Sequence, residues 1–491
     1  MEGRPVPSGE TRSPSHGTDV AQARCTSAAR APQRTMRHST TFLLSPVLLS
    51  VALGGCAGTW EETTRSDLDH AALGLEPEAD DGAVPAFDGS LEGYVAYAMR
   101  DSPELRASFE RWRAATLQIS RARRLPEPTL SYAYYVRSVE TRVGPQRHRV
   151  MLSQTFPWPT RLSAGADAAS YAARAAERRF DALALAVRRR VADVYWRLWL
   201  VHHLHALKTE HDQVLEALEG TVRARVEVGA ATLADLAQLN LDILRHHDHH
   251  GEHAEAMRGL SAELAATIGA PPGTPTPING DSPAGGLPAE DEEALRQAAR
   301  EHPRIEVSDL MAQASETRAE VEDADRYPSF MLDVTWIETG EAMMPTTQGS
   351  GTDPLIVGIS MRLPLWWGSY SDAEGAARAE GAAFAADADA GRLAAESELE
   401  QAIAGVRDAE RRIHLYADTL VPQAGVAYES VVGSYQSGRS GVAALLLAQR
   451  DLLELQLSLV RARADHARAW AALEMVVGHA VTARGPEDHD G

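Results

Sequence analysis

Residues 125–159 read LPEPTLSYAYYVRSVETRVGPQRHRVMLSQTFPWP and interrupt a chain that otherwise has the composition of long helices. From Thr129 to Val139 the large apolar residues Leu130, Tyr132, Tyr134 and Val136 fall at every second place. After Gly144-Pro145, read as the turn, Val150, Leu152 and Phe156 resume the alternation while Arg149 and Ser153 take the other face. Period two with aromatic and β-branched residues signals a strand, and Gly-Pro between two such runs marks a reversal. Each run is about ten residues, the length a tilted strand needs to cross a bilayer.

The surroundings are different in kind. Ala, Leu, Arg and Glu dominate the 491 residues and Phe is scarce, which favours long helices over a compact globular core. A formal charge of −21 argues against a nucleic-acid partner. Two cysteines, Cys25 and Cys56, support neither a disulfide framework nor a structural zinc site. Outside the N-terminal region no run of about twenty apolar residues exists, so no transmembrane helix is predicted for the mature chain.

Residues 1–35 are polar, rich in Pro, Ser and Arg, and read as a disordered leader, or an untranslated one if Met36 is the start. Residues 36–55 read as a signal peptide, with Arg37 and His38 followed by the apolar run TFLLSPVLLSVALGG. Leu53-Gly54-Gly55-Cys56 resembles a bacterial lipobox, which implies that Cys56 becomes the acylated, palmitate-bearing N-terminus; the alternative is an ordinary signal peptide with an incidental cysteine. Residues 56–87, acidic with Gly and Pro, then form a lipidated tether.

A first unit spans 88–269, with its hairpin at about 129–156. Helical periodicity starts near Leu91 and stops at Pro126 and Pro128. Beyond the hairpin, Arg161 to Val228 lacks proline and reads as one helix of roughly 68 residues, about 100 Å long. Gly229 breaks it, and a helix over about Thr232–Ile268 follows. After a Pro/Gly linker at 270–288 the pattern returns over 289–480, ahead of a polar tail at 481–491. Pro103 and Pro128 are matched by Pro303 and Pro328; a helix over 289–326 leads into a second hairpin at about 329–363. There Phe330, Leu332, Val334 and Trp336 alternate on one strand, and Leu355, Val357, Ile359, Met361 and Leu363 on the other. The long helix is expected again at about 370–437, and Gly229, Asp242 and Gly269 recur 209 residues later as Gly438, Asp451 and Gly478. The fold class is therefore mainly α with a membrane β-barrel portion, built as a tandem duplication of helix–β-hairpin–long helix–turn–helix. Four strands are too few to close a barrel, and open edges are not tolerated in lipid. At least 8 strands are needed and three chains supply about 12, so a cyclic homotrimer with a 12-stranded barrel is the simplest closed solution.

The paired proline helix ends, the entry Gln154-Thr155-Phe156-Pro157 into a long helix, and two turns resemble the TolC-like outer membrane factors over roughly residues 88–480. Those turns are Val228-Gly229-Ala230-Ala231-Thr232-Leu233 and Ser437-Gly438-Arg439-Ser440-Gly441-Val442. With the lipobox, the resemblance is to the drug- and metal-efflux branches. It implies an α-helical tunnel through the periplasm and a lipid-anchored location in the outer membrane of a Gram-negative cell. The implied partners are a periplasmic adaptor (membrane fusion) protein, an inner membrane pump and outer membrane lipid, with no cofactor and no enzymatic activity. It also implies that the two turns form an end that closes the channel and docks the adaptor. Thr160 departs from the glycine frequent in relatives, which the second copy keeps as Gly368. Alternatives are a type I protein secretion duct and, from another class, a periplasmic coiled-coil adaptor or scaffold that never enters lipid.

No catalytic constellation, phosphate loop or metal signature stands out. Asp235 contributes either to an acidic ring at the aperture or simply to the first turn of its helix, where the dipole favours it. Trp158, Trp366 and Trp367 read as an interfacial aromatic girdle or as packing at the strand–helix junction. Nine of the 18 histidines fall in the first helical pair. His246, His249, His250 and His253 share one helical face, either as a band that binds borderline cations or titrates near pH ~6.5, or as a tolerated polar outer face.

Overall fold

A computed structural model describes residues 59–74, 85–280, 285–344 and 346–484; the leader, the signal segment and Cys56 lie outside the described residues. The first copy runs α1 (Thr59–Gly74), α2 (Leu91–Asp101), α3 (Pro103–Arg123), β1 (Thr129–Thr141), β2 (Gly144–Phe156), α4 (Pro159–Glu227) and α5 (Leu233–Ile268). The second runs α6 (Glu292–Arg300), α7 (Pro303–Ala324), β3 (Ser329–Thr339), β4 (Leu355–Arg362), α8 (Trp367–His414), a π-helical turn (Leu415–Leu420), α9 (Val421–Gln436) and α10 (Val442–Val477).

Several expected boundaries move, each for a physical reason. The helices expected over 91–125 and 289–326 each divide at X-Pro. Ser102 and His302 sit extended, with ψ of 120° and 137°, because a following proline disfavours the helical region. Each proline then starts a new helix at a position whose N–H is not needed. The stretch expected as a tether contains α1, whose Leu68, Ala71 and Ala72 pack against Phe109, Trp112 and Phe180; helical spacing of three apolar residues outweighs an acidic composition. The second long helix is not continuous. Its parts of 48, 6 and 16 residues make 70 where α4 has 69, and a π turn is the way a helix absorbs one extra residue.

The linker at 270–288 is bound along much of its length. Tyr94 Oη donates to Pro277 O at 2.7 Å, Trp199 Nε1 to Gly280 O at 3.0 Å, and Asn279 N to Gly89 O at 3.1 Å. It then pairs with residues expected in the polar tail. Ala289 N donates to Thr482 O and Arg484 N to Leu287 O, and Val481 is buried in the second core.

Short helices stack end to end along the long ones. Gly269, closing α5 with φ 80°, lies so close to the start of α3 that a Cβ there would stand 2.9 Å from Pro103 Cδ. Its counterpart Gly478 closes α10 against His302 and Pro303. One core forms where α2, the start of α3 and α5 meet α4 around Tyr94, Leu105, Tyr195, Leu198 and Leu264. The matching core of the second copy gathers Leu295, Ile305, Leu399, Ile403 and Leu473.

The two hairpins join into one antiparallel sheet, β1-β2-β3-β4. Leu130 pairs with Leu152, Leu152 with Val334 and Val334 with Val357; the next like-facing rung is Tyr132, Val150, Trp336 and Leu355. The Gly-Pro turn is displaced. Gly144 and Pro145 pair with Thr141 and Glu140 inside the ladder, so Arg142 and Val143 make the reversal. Gly144 is required for another reason: a Cβ there would fall 1.7 Å from Gly340 O, while Gly340 N donates to Pro145 O at 2.8 Å. β1 bulges between Tyr134 and Val139.

Candidate functional site

The sheet presents an apolar face with nothing over it. Leu130, Tyr132, Leu152, Val334, Trp336, Leu355, Val357, Ile359 and Met361 are all exposed, Ile359 at 76%. The opposite face holds Ser153 at 7%, Thr335 at 3% and Asp333, whose carboxylate closes over Gly358. This is the reverse of a soluble sheet, where the apolar side packs inward. The register explains it, since period-two residues in matched rungs all emerge on one side. Among the described residues no helix is long and apolar enough to cross a membrane. Among the described residues β1 and β4 end the sheet with their outer edges unpaired. Where strands meet helices, Trp158 stacks on Tyr327 with ring centroids 4.8 Å apart, and Trp366 and Trp367 are exposed.

At the other end of the helices, the two expected turns share one backbone design. Gly229 and Gly438 adopt φ 77° and 73°, the left-handed conformation that reverses a helix without a Cβ penalty. Ala230 N and Ala231 N donate to Arg225 O, and Arg439 N and Ser440 N donate to Ser434 O, which are the same two bonds in each copy. Val228 and Leu233 flank the first turn, exposed at 78% and 72%.

Beyond the backbone the tips differ. Thr232 and Asp235 complete a capping box: Thr232 N and Oγ1 donate to Asp235 Oδ2 at 2.9 and 2.7 Å, and Asp235 N donates to Thr232 Oγ1 at 3.1 Å. Those donors hold the Asp235 carboxyl below its ordinary range. The second tip has Gly441 at that place and no side-chain cap. Sequence reasoning missed what ties the tips together. Arg225 donates to Tyr435 O at 3.0 Å and Gln436 O at 3.4 Å, and its guanidinium lies 4.2 Å from the Tyr435 ring centroid. Below it Leu215, Val222, Leu239, Tyr435, Val442, Leu445 and Leu446 form a local core.

His205, His211, His246, His250 and His253 line the seam between α4 and α5, while His202, His247 and His249 are exposed; His246 and His250 converge on Asp212, which the sequence reading did not select. Its carboxylate takes a hydrogen bond from His250 Nε2 and lies 3.1 Å from His246 Nδ1. His250 Nδ1 faces His205 Nδ1 at 3.3 Å, His246 stacks on His211, and Gln449 Nε2 reaches His211 Nδ1 at 3.4 Å. His249 points outward to Glu252. Burial lowers the basicity of His246 and His253, and brings His211 to about 4. Among the described residues no three His, Cys, Asp or Glu side chains are placed to hold a metal ion. A signal for Asp212 existed: it precedes Gly229 by 17 residues and His246 follows it by 17, which places them at one height in an antiparallel pair.

Residues 294–479 match the outer membrane efflux protein family. The outer membrane protein VceC from Vibrio cholerae shares the fold at a TM-score of 0.66 and 19% identity, covering 79% of this chain and 96% of that one. The open-state MtrE outer membrane channel of Neisseria gonorrhoeae gives 0.65 and 18%, covering 80% and 89%. The Campylobacter jejuni CmeC outer membrane channel gives 0.64 and 14%, covering 82% and 91%. No curated protein matches the sequence.

Proposed function

We propose that this chain, whose residues 294–479 match the outer membrane efflux protein family, is the outer membrane channel subunit of a tripartite efflux system. The family and the structural neighbours are channel proteins rather than enzymes. The observation that carries the reading is the four-stranded sheet with one exposed apolar face and two open edges. A contiguous exposed apolar face of this size is a membrane or partner surface, and in lipid each open edge must find a strand. Three copies pairing β4 of one with β1 of the next remove every edge and give a barrel of about 12 strands. The girdle tryptophans Trp158, Trp366 and Trp367 then stand at the periplasmic interface, where amphipathic rings are favoured.

The helices continue from the barrel as a periplasmic tunnel. The tips around Gly229 and Gly438, with Val228, Ala230, Thr232, Leu233, Asp235, Ser437, Arg439, Ser440 and Gly441, dock the adaptor. Cys56 carries the lipid anchor. Transport through the duct is passive, powered by an inner membrane pump, and the cargo is a small molecule or metal ion. An apolar sheet face has no use in a scaffold that never enters lipid, which favours the channel over that alternative.

The test is expression of the full chain in a Gram-negative host. Fractionation should place it in the outer membrane as a trimer that resists detergent until heated, and labelled palmitate should be incorporated unless Cys56 is replaced by Ala. A monomer in the soluble periplasmic fraction overturns the reading. Loss of protein export with unchanged tolerance of small toxic solutes replaces it with the secretion duct.

A further inference from the structure

The seam around Asp212 has a built-in comparison, because the second copy carries the same helical pair without it. Applying the 209-residue offset of the tip glycines, His211, Asp212, His246, His250 and His253 correspond to Leu420, Val421, Leu455, Leu459 and Ala462. The first copy therefore places four imidazoles and a carboxylate where its twin packs apolar side chains. α5 and α10 are both 36 residues long, whereas the long helix of the second copy carries its π turn, Leu415–Leu420, at the height of 206–211 in the continuous α4.

The charges facing this seam come from three helices. Lys208 and Asp212 lie on α4; Asp242, Arg245 and Glu252 on α5; and Arg450, Glu454 and Arg461 on α10. Four fixed cations thus meet four carboxylates, and most are already engaged. Asp242 pairs with both Arg245 and Arg450, and Glu252 pairs with His249. Asp212, with a side chain only 14% exposed, contacts the imidazoles of His246 and His250, and Glu252 is the other carboxylate near His253. The Asp212 carboxylate offsets a single added proton. A second proton meets Lys208 and its neighbours with only Glu252 to offset it, in a half-buried site where water screens it incompletely. Beside these groups lies a cleft of about 370 Å³ bounded by α4, α5 and α10, into which the seam opens.

We propose that this seam is an acid-sensitive catch in the first helical pair: proton uptake by its imidazoles parts α4 from α5 around Asp212 and widens the cleft beside α10. The second helical pair has apolar side chains at the places of His211, Asp212, His246, His250 and His253, and keeps an imidazole only at His414, the counterpart of His205, where Glu410 and Asp418 accept the added charge; acid therefore opens the first pair only. The sign follows from burial. Groups that bind protons less readily in the closed seam than in the open one stabilise closure fully above the free imidazole value of about 6.5, and lose that contribution as pH falls below it. With His211 held at about 4, closure is disfavoured by up to about tenfold near pH 5.5 from this residue alone.

Hydrogen exchange of the full chain at about pH 7.5 and about pH 5.5, corrected for intrinsic chemistry, tests this. Exchange over 205–215 and 243–254 should accelerate by about tenfold, while 419–424 and 452–463, beyond the His414–Asp418 pair, stay unchanged. Equal response in both pairs, or none in the first, overturns the proposal. Copying the twin with His211→Leu, Asp212→Val, His246→Leu and His250→Leu should remove the response, and a response that survives overturns it as well. Should that variant not fold, exchange at the imidazole C2–H of the unmodified chain reads each histidine directly. His211 titrating at or above about 6.5 refutes the catch, and a value well below it supports it.

Discussion

Replacing Arg225 by Ala should loosen the paired tips without disturbing the rest of the chain. Arg225 is half-buried at the end of α4 and makes two kinds of contact with the other copy. Its guanidinium stacks 4.2 Å from the Tyr435 ring centroid, and it donates to Tyr435 O at 3.0 Å and Gln436 O at 3.4 Å. These are among the last carbonyls of α9, beyond the regular helical ladder; Tyr435 O also accepts from Gly438 N at 3.0 Å. A cation–π contact at a partly exposed site is worth about 0.5–1 kcal/mol, and a hydrogen bond from a charged donor about 1.5 kcal/mol. Discounted for solvent screening, their loss should cost about 1.5–2 kcal/mol of local stability, or a ten- to thirtyfold rise in opening. Hydrogen exchange of residues 225–231 and 434–440 reads this directly. Arg225→Lys should recover the charge but not the planar stacking, and so fall between the two. Exchange within about twofold of the unmodified protein in Arg225→Ala would show that the backbone turns and the core around Val222 and Leu239 hold the tips without it.

Other consequences follow from the same geometry. Gly229→Ala and Gly438→Ala should each cost about 1–2 kcal/mol from left-handed strain, because nothing lies within 4 Å of a Cβ at either place; Asn should restore much of it, read as local exchange or thermal midpoint. Ile359→Arg on the exposed sheet face should leave helical circular dichroism intact but lower the outer-membrane fraction, the expected cost at mid-bilayer being about 2–4 kcal/mol. Asp235→Ala removes the reciprocal cap of α5 and should cost about 1 kcal/mol. Because its carboxyl is held below the ordinary range, that contribution is present above pH ~4 and fades as pH falls through the lowered value, visible as a converging pH dependence of the two proteins. His302 accepts from Arg304 N through Nδ1 and donates from Nε2 to Met475 O at 2.9 Å, which requires the neutral ring. Burial lowers its basicity, so this joint should weaken below about pH 6.5, and His302→Gln should flatten the dependence in a thermal melt.

Much of the architecture is local and so was legible. Alternation in SFMLDVTWIET and LIVGISMR fixes which side chains share a face before any partner is known, and prolines at 103, 128, 303 and 328 mark element ends through their own φ restriction. The duplication made each weak signal count twice. Gly144-Pro145 misled because glycine there answers to the approach of Gly340 from another hairpin, a contact that no turn rule contains. Composition misled over residues 59–74 for a like reason: what orders α1 is the Phe109–Trp112–Phe180 patch waiting for it.

The sequence by itself determined the repeat, the strands, the long helices and the glycine turns, since each rests on periodicity or on backbone conformations open to few residues. Only the tertiary structure decided which helical faces meet. α4 carries buried residues from Ala164 to Val222 and packs against helices of both copies, so no single stripe of its sequence names its neighbours. The joining of two hairpins into one sheet, the clasp of Arg225 on Tyr435, and the gathering of histidines on Asp212 depend on segments far apart in the chain arriving at one height. That meeting is set by the packing of whole helices, through the length of α4 and the single residue taken up by the π turn at Leu415–Leu420.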